Sequence, residues 1–600
     1  NQKNSSYNIR LNAGLNYKIT KDLRFSTSAA VDHHLLRSNI ATPDYLSAWS
    51  LTESKFSASG LTMMQWESIL NYDFKINNDH RFDVMLGTAF TSESMESVEA
   101  RAQGGPSNSV YYISDAWPKS RIISGSFQHM QENKTDYQAQ TMASIFGRLS
   151  YNYKQKYLAE LAVRRDGSSV YAPAYRWGTF PSIGAGWVFT SEKFMKPLWW
   201  LSFGKLRTSW GRSGQKLDDA YLAQGTLSTY NSFLGVPGLV PSTSANSRMT
   251  WEESDQLDLG LDLYFLDQKL RMKVDYYNKY SRNLLIQTPL PGNVYFNKEA
   301  WTNAAAISNE GLEFEVSADL IRKKDFSWTA QLNLARNWNL LRKAPNDMDI
   351  TTKSGIQVLG RPTFGIYTYK DLGLIQNEAQ IPYNYTVNGV KTPLSFGYSN
   401  NYLAGVGARN IADLNGDGTI DVSDRYYAGS TLPIAHGGLS SQIRWKDFTV
   451  DALFNFSLGR KMMNKSRYSS LAFSGLFGVI LDDYRKKSVW KKDGDKTDLP
   501  APEYAETGFI GQYDGDTDRF IENVSFLRLR QLTLSYTLPS AFTSKLRLKD
   551  ARVFLTGENL FLLSNYSGVD PEIVDPYTGI DTGTQYPLDR KITLGINVKF

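Results

Sequence analysis

The sequence predicts an all-β protein, a transmembrane antiparallel β-barrel. Three observations carry that prediction. Apolar and polar residues alternate with a period of two along many segments. Short turns and long loops alternate along the chain. No stretch approaches the roughly 18 consecutive apolar residues of a membrane helix, although 41% of the 600 residues are hydrophobic and 13% aromatic.

Successive side chains of a strand point to opposite faces, so strict alternation marks a strand with one apolar and one polar side. Ile9, Leu11, Ala13, Leu15 and Tyr17 share one face, against Arg10, Asn12, Gly14 and Asn16. Leu257, Leu259, Leu261, Leu263 and Phe265 do the same against Gln256, Asp258, Gly260 and Asp262. Leu312 to Leu320 and Phe326 to Leu334 repeat the pattern, and the chain ends on Ile592, Leu594, Ile596, Val598 and Phe600. A turn at Asp267-Gln268 would set Leu263 opposite Met272 and Asp262 opposite Lys273, matching apolar with apolar and acid with base. The polar faces carry rows of Asp, Glu, Lys and Arg, whereas the apolar faces carry almost no charge. A charge on a lipid face costs about 2–4 kcal/mol at the bilayer midplane, so a lipid-facing surface is kept clean.

Short turns are expected near Lys18 to Asp22, Lys75 to His80, Lys154 to Lys156, Ser191 to Trp200, Asp267 to Lys269, Ile321 to Asp325, Lys446 to Asp447 and Pro539 to Asp550. Long loops are expected over Asp32 to Gln65, Glu93 to Met142, Asp166 to Arg176, Gln215 to Met249, Leu285 to Asn303, Leu340 to Pro433, Asn464 to Ile521 and Ser564 to Tyr586. In outer-membrane barrels short turns face the periplasm and long loops the outside. The spacing implies about 17 strands, the first starting outside; bacterial single-chain barrels have an even count with both ends periplasmic. The expectation is therefore that about five strands of a roughly 22-stranded barrel precede Asn1.

Other signals are bounded by composition. There is no cysteine, hence no disulfide framework or thiol chemistry. Sixty-six basic and 60 acidic residues leave a net charge of +6, too mild for a nucleic-acid footprint. The five histidines lack metal-ligand spacing, and no catalytic constellation stands out, so an enzyme is not expected. Aromatic residues crowd the expected loops: Tyr111, Tyr112, Trp117, Trp301, Tyr383, Tyr385, Tyr398, Tyr402, Tyr426 and Tyr427. They suit a cargo or a partner surface. Trp199 and Trp200, beside a short turn, suit the aromatic girdle of a membrane interface.

Asp413-Leu414-Asn415-Gly416-Asp417-Gly418-Thr419-Ile420-Asp421-Val422-Ser423-Asp424 has the spacing of a calcium loop. Asp413, Asn415, Asp417, the Thr419 carbonyl, Asp421 and Asp424 would be the oxygen ligands, with glycine at the sixth position. Aspartate at the twelfth position, where glutamate binds calcium most strongly, leaves magnesium open as well. The flanks do not read as helices, so the segment would order the long loop around it instead of acting as a calcium sensor.

A set of motifs then runs along the chain in order. Arg165-Asp166-Gly167-Ser168-Ser169, Arg176-Trp177-Gly178 and Phe180-Pro181-Ser182 come first. Leu206-Arg207 through Gly211, Trp251-Glu252 through Tyr277, and Asn309-Glu310-Gly311-Leu312-Glu313 follow. Phe526 to Arg530 with Leu532 to Tyr536, Gly557 to Phe561, Asp570-Pro571-Glu572 and Pro587 to Phe600 complete the series. Together they resemble the C-terminal barrel portion of SusC/RagA-type TonB-linked outer-membrane proteins of Bacteroidetes, whose members carry a similar segment at Asp413 to Asp421. The resemblance implies import of glycans or peptides across the outer membrane of a Gram-negative cell. It also implies an N-terminal plug and TonB box outside these residues, on the same or a separate chain, and a SusD-like lipoprotein lid on the loops. Phe600 resembles the terminal aromatic signal for barrel insertion; it also suits a lipid-facing girdle. A scaffold barrel in a larger outer-membrane assembly is the alternative, with contacts to lipid or lipopolysaccharide in either case. A soluble β-rich adhesin or glycan-binding module is a weaker one.

Overall fold

The computed structural model describes residues 2–46, 52–103, 108, 120–123, 126–129, 131–233, 236–290, 299–352, 355–385, 389, 391–393, 395–396, 405–471, 489–501, 516–575 and 578–600. With the two-residue strand Ile580–Asp581 added at Met463 and Asn464, the main sheet among the described residues is made of seventeen long strands. They are β1 (Gln2–Lys18), β2 (Leu23–Thr42), β3 (Glu53–Ile76), β4 (His80–Gln103), β5 (Gln131–Tyr153), β6 (Tyr157–Ser168), β7 (Trp177–Trp187), β8 (Leu201–Gln215) and β9 (Glu252–Phe265). Then come β10 (Leu270–Pro289), β11 (Glu299–Arg322), β12 (Phe326–Lys343), β13 (Ala435–Trp445), β14 (Phe448–Asn464), β15 (Ile521–Thr537), β16 (Asp550–Ser564) and β17 (Lys591–Lys599). The count matches the expectation from alternation. The eight short turns fall where they are expected, and the turn between β9 and β10 occupies Leu266 to Lys269, centred on Asp267 and Gln268.

Two expected loops are too long. Asp32 to Gln65 and Glu93 to Met142 are strand for much of their length, since β2 runs to Thr42, β3 starts at Glu53, β4 reaches Gln103 and β5 starts at Gln131. Alternation fades where an apolar face is no longer needed. The backbone hydrogen bonds continue regardless, because they do not depend on side-chain polarity.

The chain divides into two compact units. The first comprises Asn1–Val188, Arg207–Leu257 and Tyr280–Ala306; the second comprises Phe189–Leu206, Asp258–Lys279 and Ile307–Phe600. In the first, β1 to β7 pair consecutively and antiparallel. Leu11 lies opposite Val31, Val31 opposite Met64 and Trp66 opposite Phe90, giving one apolar face. The other face carries cross-strand ion pairs, Arg24 with Asp73 and Arg148 with Asp83, both at 2.9 Å. In the second unit β12 to β17 pair the same way. There Phe326, Trp445, Phe448, Tyr536, Val553 and Ile596 form one continuous cross-strand row.

Rings collect beside the short turns. Tyr72, Phe74, Phe82 and Tyr151 stand in a chain with successive centroids 4.9 Å apart. In the second unit Phe448 lies 4.6 Å from Tyr536, and Trp200 stacks on Phe265 at 5.8 Å. Trp199 stays 80% exposed. This is the aromatic belt expected where a membrane barrel meets the interface. Strand pairing is tight at Gly437, where a Cβ would run into the Asn333 carbonyl oxygen of β12. Extensive burial lies instead in the connections at the opposite ends of the strands, where the loops form small cores.

Candidate functional site

The segment 413–424 folds into a compact turn of carboxylates capped by backbone amides. Asp413 accepts from the amides of Gly416 at 2.7 Å and Gly418 at 2.8 Å. Asn415 accepts from Asp417 N–H at 2.9 Å, Asp417 from Thr419 at 2.8 Å and Asp421 from Ser423 at 2.8 Å. Gly418, the sixth position, has φ +84°, a left-handed conformation that favours glycine. Asp424 is fully buried and closes the loop, accepting from Leu414 and Asp421, both at 2.8 Å, and from Asn415 at 3.3 Å. Burial holds its carboxyl above the ordinary aspartate range, against the pull of those amides. Among the described residues no three His, Asp or Glu side chains converge as a metal site. The ligand set expected from the spacing therefore shares one loop but is spread over the amides in this arrangement. Each carboxylate keeps lone pairs beyond its amide bonds.

That turn sits within a small folded body formed by the long loop. Gly365–Thr368 pairs with Tyr426–Ser430, and Asp371–Leu374 with Arg409–Ile411. Tyr369, Ile375, Ala408, Ile411 and Ile420 form its buried core. An ion pair is buried beside it, Arg409 to Asp371 at 2.8 Å, with side chains 4% and 9% exposed. The segment around Asp516 and Asp518 ties this body to the next loop. Asp518 binds Lys370 and the Tyr426 hydroxyl, both at 2.6 Å, and the Asp371 amide at 3.0 Å. Burial alone would raise the Asp518 carboxyl, but these three donors outweigh it and hold it below the usual range. Asp516 binds Arg425 at 3.0 Å and also pairs with Lys465. The last long loop folds against β15, where buried Arg528 pairs with Asp570 at 2.5 Å and with Glu572.

The first unit has its own loop core. Tyr171 and Trp251 have centroids 4.9 Å apart, and Phe180 meets Trp251 edge-on at 5.5 Å. The Trp251 indole donates to the Arg176 carbonyl at 2.9 Å, and the Tyr171 hydroxyl donates to the Gln215 carbonyl at 3.0 Å. The motif around Asp166 thus has a physical reading. Arg164 donates to Asp166 at 2.7 Å, and a Cβ on Gly167 would strike the Trp177 ring.

Several loop aromatics are structural. Trp301 packs on the Tyr171–Trp251 core, Tyr426 is held by Asp518, and Tyr427 lies against Tyr367 at 5.6 Å. Tyr383 and Tyr385 lie in a short strand pair with Lys391–Pro393. Tyr111, Tyr112, Trp117, Tyr398 and Tyr402 fall outside the described residues. Phe600, 81% exposed, follows Ile596 and Val598 on the alternating end of the chain. Asp516 and Asp518 escaped the sequence reading because Asp-Gly-Asp-Thr-Asp looks like a solvated turn; only the contacts identify them as a hub.

Two of the recesses among the described residues lie on the polar face of the strands. One of about 440 Å³ is lined by Asn8, Arg10, Asp32, His34, Leu61 and Met63 in the first unit. The other, about 330 Å³, belongs to the second unit and includes Gln331, Gln442, Asp451 and Gln531. Its amides are already satisfied within the wall, as Gln442 donates to Asp451 at 2.6 Å and Gln531 to Thr533 at 3.0 Å.

Residues 1–461 match the family model described as TonB dependent receptor-like, beta-barrel. The chain belongs to that family. TonB-dependent receptor P3 of Formosa agariphila is 29% identical over 571 residues, covering 91% of this chain and 53% of the relative. TonB-dependent receptor SusC of Bacteroides thetaiotaomicron is 30% identical over 477 residues, covering 77% and 44%. The chain thus spans about half the length of the curated relatives it matches. The structure of the RagAB peptide transporter superposes with a TM-score of 0.80 at 22% identity, over 100% of this chain and 62% of that one, which establishes a shared fold. The chain is accordingly an outer-membrane β-barrel polypeptide, and a soluble adhesin or binding module is set aside.

Proposed function

We propose that this chain is the barrel portion of an outer-membrane importer of the SusC/RagA type, a receptor and not an enzyme. The observation that carries this reading is the union of the family match over residues 1–461 with clean apolar strand faces and one-sided long loops. The barrel provides the wall of a passage. A plug and TonB box outside these residues gate and energise it, and a SusD-like lipoprotein closes over the loops. The loop body built on Tyr369 provides firm ground for such a lid. Glycans and peptides are the cargo classes.

In this reading the 413–424 turn holds calcium, or magnesium, through Asp413, Asn415, Asp417, the Thr419 carbonyl, Asp421 and Asp424. The bound ion would neutralise four clustered carboxylates and brace the long loop. Support comes from the oxygen spacing together with Gly418 at the sixth position, whose φ of +84° gives the sharp turn such a loop needs. Titration calorimetry of the purified receptor should show saturable calcium uptake that Asp413→Ala abolishes; no heat, or uptake unchanged in the variant, removes the ion from the mechanism.

The importer is tested by deleting the full gene and scoring growth on oligosaccharides or oligopeptides as sole nutrient, with restoration by the intact gene but not by one lacking its TonB box. Normal growth of the deletion strain on every such source refutes import.

A further inference from the structure

Arg164 and Arg165 are neighbours in β6 and stand on opposite faces of the sheet. Arg164 donates to buried Asp166 at 2.7 Å. Arg165 lies opposite Ile145 of β5 and Thr179 of β7. Below it on the same face, Leu161 pairs with Leu149 and Ile183, and Val163 with Gly147. Ile145, Leu161, Val163 and Ile183 are all exposed, Ile145 to 65%. They belong to the same apolar coat as Phe90, which lies opposite Ala143, two residues before Ile145.

A cation on that coat is tolerated only near its rim. From Tyr157, beside the short turn, to Arg165 the strand climbs about 20 Å at the ordinary rise and barrel tilt. The apolar band of such a barrel is about 25 Å tall. A guanidinium on a long side chain covers the remainder and reaches the level of the outer headgroups. The Arg165 guanidinium lies over the Trp177 ring at 5.6 Å, and Trp177 is 50% exposed. Stacking occupies one face of the guanidinium plane and leaves the N–H donors around its edge available. Arg176, exposed and next to Trp177 in the chain, donates its Nε to the Tyr171 carbonyl at 3.3 Å. Among the described residues neither Arg165 nor Arg176 meets a carboxylate. Other arginines of this unit are neutralised, Arg212 by Asp255 at 2.7 Å and Arg282 by Glu253 and Asp255 at 2.7 and 2.9 Å. The uncompensated positive charge is therefore local.

We infer that Arg165, Arg176 and Trp177 bind the phosphorylated glucosamine headgroup of a lipopolysaccharide molecule, with its acyl chains lying on Ile145, Leu161, Val163 and Ile183. The inference goes beyond the importer reading and rests only on the membrane barrel. Phosphate oxygens accept forked pairs of N–H bonds from arginine, and the apolar coat directly below receives the chains. A zwitterionic phospholipid would bring an ammonium to two uncompensated cations. A second copy docking through the same surface would set like charges against each other, because a two-fold interface uses one patch twice. The bound lipid would also brace the first unit's loop core, since the Arg176 carbonyl accepts from the Trp251 indole.

The test uses the full-length receptor, stripped of lipid in detergent. Native mass spectrometry measures its affinity for the purified lipid A portion of lipopolysaccharide, for the same lipid after enzymatic removal of its phosphates, and for phosphatidylethanolamine. The variant combines Arg165→Gln and Arg176→Gln, with heat-modifiable electrophoretic migration reporting an intact barrel. The wild type should bind the phosphorylated lipid at least about tenfold more tightly than either other lipid, because hydrogen bonds between charged groups are the strong ones. The variant should lose that preference. A variant that retains it, or a wild type that shows none, overturns the inference. Displacement of the lipid by inorganic phosphate alone would make this a site for free anions and remove the lipid from it. Dissociation of receptor dimers in the variant, with lipid binding unchanged, would assign the surface to a second copy and overturn the inference as well.

Discussion

Replacing Asp371 by alanine isolates the interaction that keeps the long loop folded. The Arg409 guanidinium lies 2.8 Å from the Asp371 carboxylate, and both side chains are more than nine-tenths buried. At that separation an effective dielectric of about 20 gives an attraction of about 6 kcal/mol. Breaking one partner of a buried pair costs about 3–5 kcal/mol, because the other charge stays buried and unpaired. Asp371 also accepts from the Gly373 amide at 2.8 Å, a residue held at φ +93°. The change should therefore loosen 365–375 and 409–411 together without touching the strands. Hydrogen exchange of the receptor in nanodiscs reads this locally. Amides of Ile366 to Leu374 and Arg409 to Ile411 should exchange about a hundredfold to several thousandfold faster, following the 3–5 kcal/mol. The double variant Asp371→Leu, Arg409→Met should return most of that protection, since an apolar pair replaces a buried ion pair at little or no cost. Acceleration below about fivefold, roughly 1 kcal/mol, would refute the reasoning, as would a double variant as loose as the single one.

Three further outcomes follow from the same geometry. Gly437→Val should destabilise the β12–β13 pairing by about 1–3 kcal/mol, read as a lower urea midpoint, because its Cβ meets the Asn333 carbonyl. Leu11→Arg should destabilise the barrel by up to about 2–4 kcal/mol and Asn12→Arg by far less, as adjacent residues face lipid and interior respectively. Asp518 has a depressed folded pKa, so its contribution is present above the unfolded value near 3.8 and is lost as pH falls through the lower folded value. Limited proteolysis of the segment around Lys370 and Asp371, which Asp518 holds, should thus rise in the wild type at acid pH, whereas Asp518→Asn should be cleaved there readily at neutral pH too.

The strands were legible because lipid imposes its requirement on every second residue. Leu11, Leu261 and Ile596 could be placed on one face without coordinates, and the turn at Asp267-Gln268 could be centred from charge and apolar matching alone. Where the chain leaves the membrane that requirement lapses. The outer halves of β2, β3, β4 and β5 consequently looked like loop, although their hydrogen bonding continues to Thr42, Glu53, Gln103 and Gln131. The loop cores were less legible for another reason. Trp251 comes from a segment far along the chain from Tyr171 and Phe180, and nothing local announces that their rings meet. Tyr426 was one of ten loop aromatics that suited a cargo or a partner surface alike, and its actual bond, to Asp518, cannot be read from an aromatic residue taken by itself. The 413–424 spacing was recognisable, but spacing fixes only which oxygens share a loop. Amide capping, which decides where those oxygens point, appears only once the backbone is folded.

The orientation of the barrel is the claim on which the lid, the loop bodies and the lipid headgroup site all depend. These 600 residues contain no cysteine, so a single engineered thiol within them reports one place. Glu378 lies exposed in the long loop, and Lys324 lies exposed in the short turn between β11 and β12. In intact cells, a membrane-impermeant maleimide should label Glu378→Cys and leave Lys324→Cys unlabelled until the outer membrane is opened. Labelling of Lys324→Cys with protection of Glu378→Cys in intact cells would contradict the orientation, and recovery of both variants from the aqueous fraction would contradict the membrane barrel itself.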